Sequence, residues 1–294
     1  MSPTVKGTLC AIVTVVSWSF TMIWSKILLD ECFEPFSLLL TRYGLAYAAL
    51  WVICPHTLPF RGWKREILYA VCGLLGVTLY FLAESQALTY TFASVVSTII
   101  AINPFITALL AWIFYRERPR NRFFIGLALS FTGAALVNIN GTIAAPISTP
   151  GIAVSLCAAL VWGAYNVAMR KASAPFDEEK PNMIQVTRRV FFWGLVTMLP
   201  LLPVFGFHLD ASALATPTVL ASLACSAFLA SALGYVTWNI AIENIGPLKT
   251  SAFALCRAAL TLILAAIILG DPISPTAVIG VALVIGGLAV AQRS

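Results

Sequence analysis

Two residues in this sequence put charge where charge is costly. Arg257 lies about ten residues into the apolar run 247–269, and Glu84 lies four residues before the end of another, 66–88. A cation near the centre of a bilayer costs at least about 2.5–3.5 kcal/mol, so Arg257 should face a partner or a wet cavity. Its planar fork suits a carboxylate or phosphate held bidentately. Two structural roles compete with that reading: an ion pair, with Glu84 as the natural partner, or a cap on the carbonyls of a broken helix. A carboxyl in low-dielectric surroundings can exchange a proton near neutral pH or accept a substrate ammonium, so Glu84 has the complementary chemistry. As a pair, Glu84 and Arg257 suit a zwitterion such as an amino acid.

Aromatic and amide side chains supply the rest of a candidate binding set. Tyr80 stands one helical turn before Glu84 and shares its face. Trp18, Trp162 and Trp238 fall inside apolar runs, as do Trp24 and Tyr165, and can line a cavity or simply pack. Asn103 carries a buried amide that needs partners, and Pro104 after it cannot donate a helix hydrogen bond, so a local break there can bare carbonyls to a cavity. Asn166 and Asn239 are polar candidates of the same kind. Arg42, six residues into its run, reads as an outer-vestibule or anchoring cation, with a substrate role as the competing reading, and Lys26 as one that snorkels and pairs with Asp30. Trp51, Trp63 and Trp112, at run ends, read as interface anchors.

Other chemistries find little support. The seven cysteines are scattered without a C-x-x-C pair, which argues against a disulfide framework or zinc site. His56 and His208 fall in loops on opposite sides, and no Ser/His/Asp set is visible, so neither a metal, a cofactor nor an enzyme is expected. The run R-E-R-P-R-N-R from Arg116 and D-E-E-K from Asp177 read as topology charges and a solvated linker. Gly286-Gly287 lacks the strand–turn–helix setting of a phosphate loop and suggests close helix packing.

The elements that must hold these residues are membrane helices. Of 294 residues, 60% are hydrophobic and only 10% charged, with a mean hydropathy of +0.91. A soluble domain would carry about 25% charged residues, so a water-facing globule is excluded. The segments 7–28, 36–54, 66–88, 92–115, 122–140, 150–170, 187–206, 217–242, 247–269 and 273–291 read as ten spans. The first lacks a cleavage site and reads as a retained helix. With both termini placed in the cytoplasm, fifteen of the eighteen Lys and Arg fall on the inner side and none in an outer loop. The net charge of +6 therefore reflects orientation and not nucleic-acid binding.

The chain also repeats itself. Residues 87–137 align with 241–291 without a gap: Thr107 meets Thr261, Glu117 meets Asp271 and Gly133 meets Gly287. Asn103 thereby meets Arg257. With slightly shorter offsets Trp18 meets Trp162, Lys26 meets Arg170, and Thr41-Arg42 meet Thr187-Arg188. Five spans per copy is an odd number, so the copies, 1–145 and 146–294, enter the membrane from opposite sides. Inverted five-helix repeats are a carrier architecture, because two similar halves can expose a midplane site to each side in turn.

The stretch E-S-Q-A-L-T-Y-T-F-A-S-V-V-S-T-I-I-A-I-N-P-F from Glu84, with F-Y-R-E-R-P ending at Pro119, resembles the core of EamA-type members of the drug/metabolite transporter superfamily. G-Y-V-T-W-N-I-A-I from Gly234, I-L-G-D-P ending at Pro272, V-S-W-S-F around Trp18 and V-W-G-A-Y around Trp162 are similar to the same family. The resemblance implies ten helices, a central cavity, and export of amino acids or other small metabolites. Arg257-Ala258 where the first copy has Asn103-Pro104, and Asp271 for the usual Glu, depart from the pattern. The expectation is an all-α carrier of the bacterial cytoplasmic membrane, with lipid and a small-molecule substrate as partners and protons as a possible coupling ion. A multidrug or organic-cation exporter is the alternative, and a membrane-embedded lipid-modifying enzyme a more distant one.

Overall fold

The computed structural model describes residues 1–31, 33–90, 93–116, 118–138, 148–175, 180–210, 212–269 and 274–292. Among them there is no sheet, only an isolated antiparallel bridge between Phe33 and Leu209. Helices α1 (Pro3–Glu31) and α2 (Pro35–Ile53) are each continuous, whereas α3 (Trp63–Gly73) runs through a π-helical segment, Leu74–Leu79, into α4 (Tyr80–Tyr90). A turn at Ala101 and Ile102 separates α5 (Ala93–Ile100) from α6 (Asn103–Tyr115). Then come α7 (Asn121–Asn138), α8 (Thr149–Ala172), and α9 (Met183–Met198), which passes through the 3-10 turn Leu199–Leu201 into α10 (Leu202–Phe205). A second π-helical segment, Cys225–Leu233, joins α11 (Pro217–Ala224) to α12 (Gly234–Phe253), and α13 (Cys256–Leu269) and α14 (Pro275–Gln292) complete the described chain. Proline opens several of these helices, where its missing N–H has no intrahelical partner to lose.

Among the described residues, eight helical runs are long and apolar enough to cross a bilayer, and Asn121–Val137 is a shorter apolar helix. Large apolar side chains such as Leu109, Ile113 and Phe114 point outward, as lipid-facing surface requires. The protein is a multi-pass membrane protein. The expected boundary between runs 217–242 and 247–269 falls at a sharp turn at Gly246, with φ 79° and ψ 163°, where one helix ends and the next begins. That φ is open to glycine at little cost, and Pro247 beside it cannot donate a hydrogen bond. The interruption expected beside Pro104 is present at 101–102, and its counterpart in the second copy falls at 254–255. The second copy has Ala258 in place of proline, so proline alone does not cause the break.

Helices α7 and α14, which correspond in the sequence repeat, pack backbone to backbone. A Cβ on Gly126 would lie 2.5 Å from the Gly287 carbonyl, and one on Gly133 would lie 2.5 Å from the Gly280 carbonyl. Gly126 corresponds to Gly280 and Gly133 to Gly287, so each member of one pair meets the counterpart of the other. Rising number on α7 meets falling number on α14. A reciprocal antiparallel contact of this kind is what a two-fold axis between similar halves produces. Ser130 Oγ donates to the Val284 carbonyl at 3.1 Å across the same seam. Gly287 carries the close packing foreseen for the glycine pair; nothing crowds Gly286. The cysteines at 10, 54, 72, 157, 225 and 256 are free thiols.

Candidate functional site

The largest buried cluster gathers rings from α1, α2, α4, α8, α9 and α12. Helix α8 presents Trp162, Tyr165 and Asn166; α12 presents Tyr235, Trp238 and Asn239. Both sets have the spacing i, i+3, i+4, which places two rings and an amide on one helical face. The faces then answer each other. Tyr165 donates to Asn239 Oδ1 at 2.7 Å, and Trp238 Nε1 donates to Asn166 Oδ1 at 2.9 Å. The amide nitrogens continue outward, Asn239 to Thr187 Oγ1 at 2.9 Å and Asn166 to Thr107 Oγ1 at 3.4 Å. All four residues are buried, so each bond here avoids an unsatisfied polar group costing about 1–3 kcal/mol.

Trp18 completes the cluster from α1, with ring centroids 5.5 Å from Trp162 and 5.0 Å from Trp238. The π-helical segments supply acceptors, because their wider turn leaves carbonyls open to side chains. Trp18 Nε1 donates to the Ala230 carbonyl at 2.9 Å, and the Tyr235 hydroxyl donates to the Gly76 carbonyl at 2.7 Å. Tyr235 in turn accepts from the Tyr43 hydroxyl at 2.9 Å. Gly76 must be glycine: a Cβ there would enter the Tyr165 ring.

The charges stand at the edge of this cluster. The Tyr80 hydroxyl donates to Glu84 Oε1 at 3.0 Å, on the turn-spaced geometry expected from sequence. The same hydroxyl lies within interaction reach of Arg257, which stands at the start of α13, just past the 254–255 turn. Both charged residues are partly buried. Among the described residues no direct ion pair joins them; the Tyr80 phenol, hydrogen-bonded to Glu84, lies in the electrostatic field of both. Tyr80 also packs on Trp162, with centroids 4.7 Å apart, so Glu84, Tyr80, Arg257, Trp18, Trp162 and Trp238 belong to one neighbourhood.

Asn103 is placed apart from the charges. It is buried at the start of α6, donates to the Ala159 carbonyl of α8 at 3.1 Å, and accepts from Thr107 at 3.4 Å. Its amide ties the broken helix to α8. At the corresponding break in the second copy, Ser19 of α1 donates to the Arg257 backbone carbonyl at 3.5 Å. Trp51, read as an interface anchor, lies under the Arg188 guanidinium at 3.7 Å from its ring centre. The Lys26 and Asp30 side chains, residues 177–179 and Asp271 lie outside the described residues.

Tyr235 and Tyr43 have no place in the sequence-derived set, although they close the network. The legible signal was the matched spacing of Trp162, Tyr165, Asn166 and Tyr235, Trp238, Asn239, which marks a mutually facing pair once the helices are known to pack. A separate cavity of about 820 Å³ opens among Arg118, Arg120, Arg170, Lys180, Lys249 and Gly246. Its lining also includes Glu243, so the cations that read as topology charges also wall a strongly basic vestibule beside the Gly246 kink.

Apolar helices, paired breaks and π segments, and charged and aromatic groups gathered between them define a membrane transporter and not an enzyme. The chain belongs to the EamA-like transporter family, which matches residues 5–139 and again 149–292. It is 29% identical over 291 residues, 98% of this chain and 94% of the other, to a probable terminal-alkyne amino-acid exporter of Streptantibioticus cattleyicolor. It is likewise 29% identical over 274 residues, 88% of this chain and 85% of the other, to the uncharacterized transporter YyaM of Bacillus subtilis. A crystal structure covering 99% of this chain and 98% of its own superposes with a TM-score of 0.79 at 19% identity, which shows a shared fold.

Proposed function

We propose that the protein is a secondary transporter that exports amino acids or similar small metabolites across the cytoplasmic membrane by alternating access. The observation that carries this is the Tyr80 phenol, which donates to Glu84 and lies within reach of Arg257 beside the aromatic cluster. Opposite charges held apart by a weak donor and acceptor form a template for a zwitterion: Arg257 takes the carboxylate and Glu84 the ammonium. The start of α13 adds the positive end of a half-helix to the carboxylate side. Trp18, Trp162 and Trp238 hold the apolar part. Asn166 supports Trp238, and Asn103 fixes the broken helix to α8. In this reading ten spans form two inverted five-helix units, 1–145 and 146–294, with both termini cytoplasmic, and the basic vestibule gathers substrate on the inner side.

Counterflow in proteoliposomes tests the reading. Vesicles loaded with mixed amino acids, or separately with organic amines, are followed for uptake of labelled members of each pool. Amino-acid exchange that collapses in folded Arg257→Ala and Glu84→Gln supports the zwitterion site. Exchange of amines alone, untouched by Arg257→Ala, makes the protein an organic-cation exporter and Arg257 scaffolding.

A further inference from the structure

Arg42 is buried to within 5% of full enclosure, yet its charge is poorly answered. Among the described residues its Nε has no hydrogen-bond partner, and Nη2 donates to the Tyr43 hydroxyl at a long 3.5 Å. Ring faces complete its surroundings: the guanidinium carbon is 4.9 Å from the Phe81 centroid and 5.1 Å from that of Tyr43. The hydroxyl of the neighbouring Thr41 is likewise buried without a partner. Ring faces attract a cation, but they satisfy none of the five directed N–H donors of a guanidinium.

The same residue pair in the second copy is hydrogen-bonded to the protein. Arg188 donates to the carbonyls of Cys54 and, at 2.6 Å, His56, and Thr187 accepts from Asn239 at 2.9 Å. A buried arginine in this fold can therefore be tied down by the protein's own carbonyls, and Arg42 is not.

Arg42 also belongs to the neighbourhood of the zwitterion site. Phe81, beneath its guanidinium, packs on Tyr80 with centroids 4.9 Å apart. Tyr43 lies in the electrostatic field of both Arg42 and Glu84. Among the described residues this neighbourhood thus holds two cations, Arg42 and Arg257, against one carboxylate, Glu84. A solute with a single net negative charge would leave it neutral; a zwitterion would leave it positive.

We propose that Arg42 is a substrate-binding residue that takes a second acid group on the transported amino acid, so that the solute carries a net negative charge. The assignment rests on the zwitterion reading of Glu84 and Arg257 and adds a third anchor to it.

The test uses full-length protein in proteoliposomes, with labelled glutamate and its neutral counterpart glutamine as probes. Wild type should exchange glutamate at least about tenfold more efficiently than glutamine, the worth of one charge-assisted hydrogen bond. Arg42→Gln should bring the two solutes to parity, and Arg42→Lys should restore much of the preference. Monodispersity and thermal unfolding of each variant check the fold. Should Arg42→Gln fail that check, the wild-type preference and the rise in melting temperature with glutamate over glutamine decide. Equal handling of both solutes by wild type, or a preference unmoved in folded Arg42→Gln, overturns the role of Arg42 and leaves the zwitterion site standing. Failure of wild type to exchange any amino acid overturns both.

Discussion

Thr41-Arg42 and Thr187-Arg188 are the same two residues at corresponding places of the two repeats, in opposite states. Arg188 bridges α9 to the end of α2, where the helix leaves carbonyls without intrahelical donors, and stacks on Trp51. Nearby, Arg189 pairs with buried Glu66 at 2.7 Å, and Arg65 donates to the Ala172 and Ala174 carbonyls. Arg42 has rings around it and an unpartnered Nε. Identical chemistry is a clasp in one copy and an open valence in the other, and the difference lies in what the neighbouring backbone offers.

The largest expected effect comes from breaking the clasp. Arg188→Ala removes two charge-assisted bonds to carbonyls from a residue only 4% exposed, and about 2–4 kcal/mol of stability should go with it. A drop of several degrees in thermal unfolding of the detergent-solubilised protein checks this; an unchanged melting temperature would make the clasp irrelevant. The α7–α14 seam comes next. Gly126→Ala and Gly287→Ala push a methyl into the facing backbone and should each cost about 1–3 kcal/mol, and about equally. Gly286→Ala, in open space, should be neutral or slightly stabilising under the same measurement.

Smaller effects separate function from fold. Tyr80→Phe removes the donor to Glu84, at a cost to folding of about 0.5–1.5 kcal/mol. Counterflow should fall further than stability does if, as proposed, the phenol stands between Glu84 and Arg257 in the substrate site. A loss matched by an equal loss of folded protein would refute that. Arg42→Met, like Gly286→Ala, should cost no stability. It deletes a buried, poorly answered charge and keeps the apolar bulk, so melting should hold or rise, in contrast with Arg188→Ala. If both substitutions destabilise equally, the contrast between the two copies is lost.

The amino-acid sequence made much of this readable. Apolar runs and the scarcity of charge marked a membrane protein, and the 154-residue register matched Gly133 to Gly287 and Asn103 to Arg257. Tyr80 beside Glu84 followed from helical spacing alone. What stayed hidden depended on neighbours distant in the chain. The π-helical carbonyls that accept from Trp18 and Tyr235 have no signature in composition, because the widened turn is stabilised by side chains from other helices. That Arg188 of α9 stacks on Trp51 was likewise unreadable in the sequence.

Sequence alone determined that this chain is an all-helical, twofold-repeated membrane protein, since hydropathy and repeat spacing are local properties of the chain. Only the tertiary structure decided which charges are answered. Arg42 and Arg188 are indistinguishable as letters; hydrogen bonding is short-ranged and directional, so their fates diverge with the few ångströms of backbone each one meets.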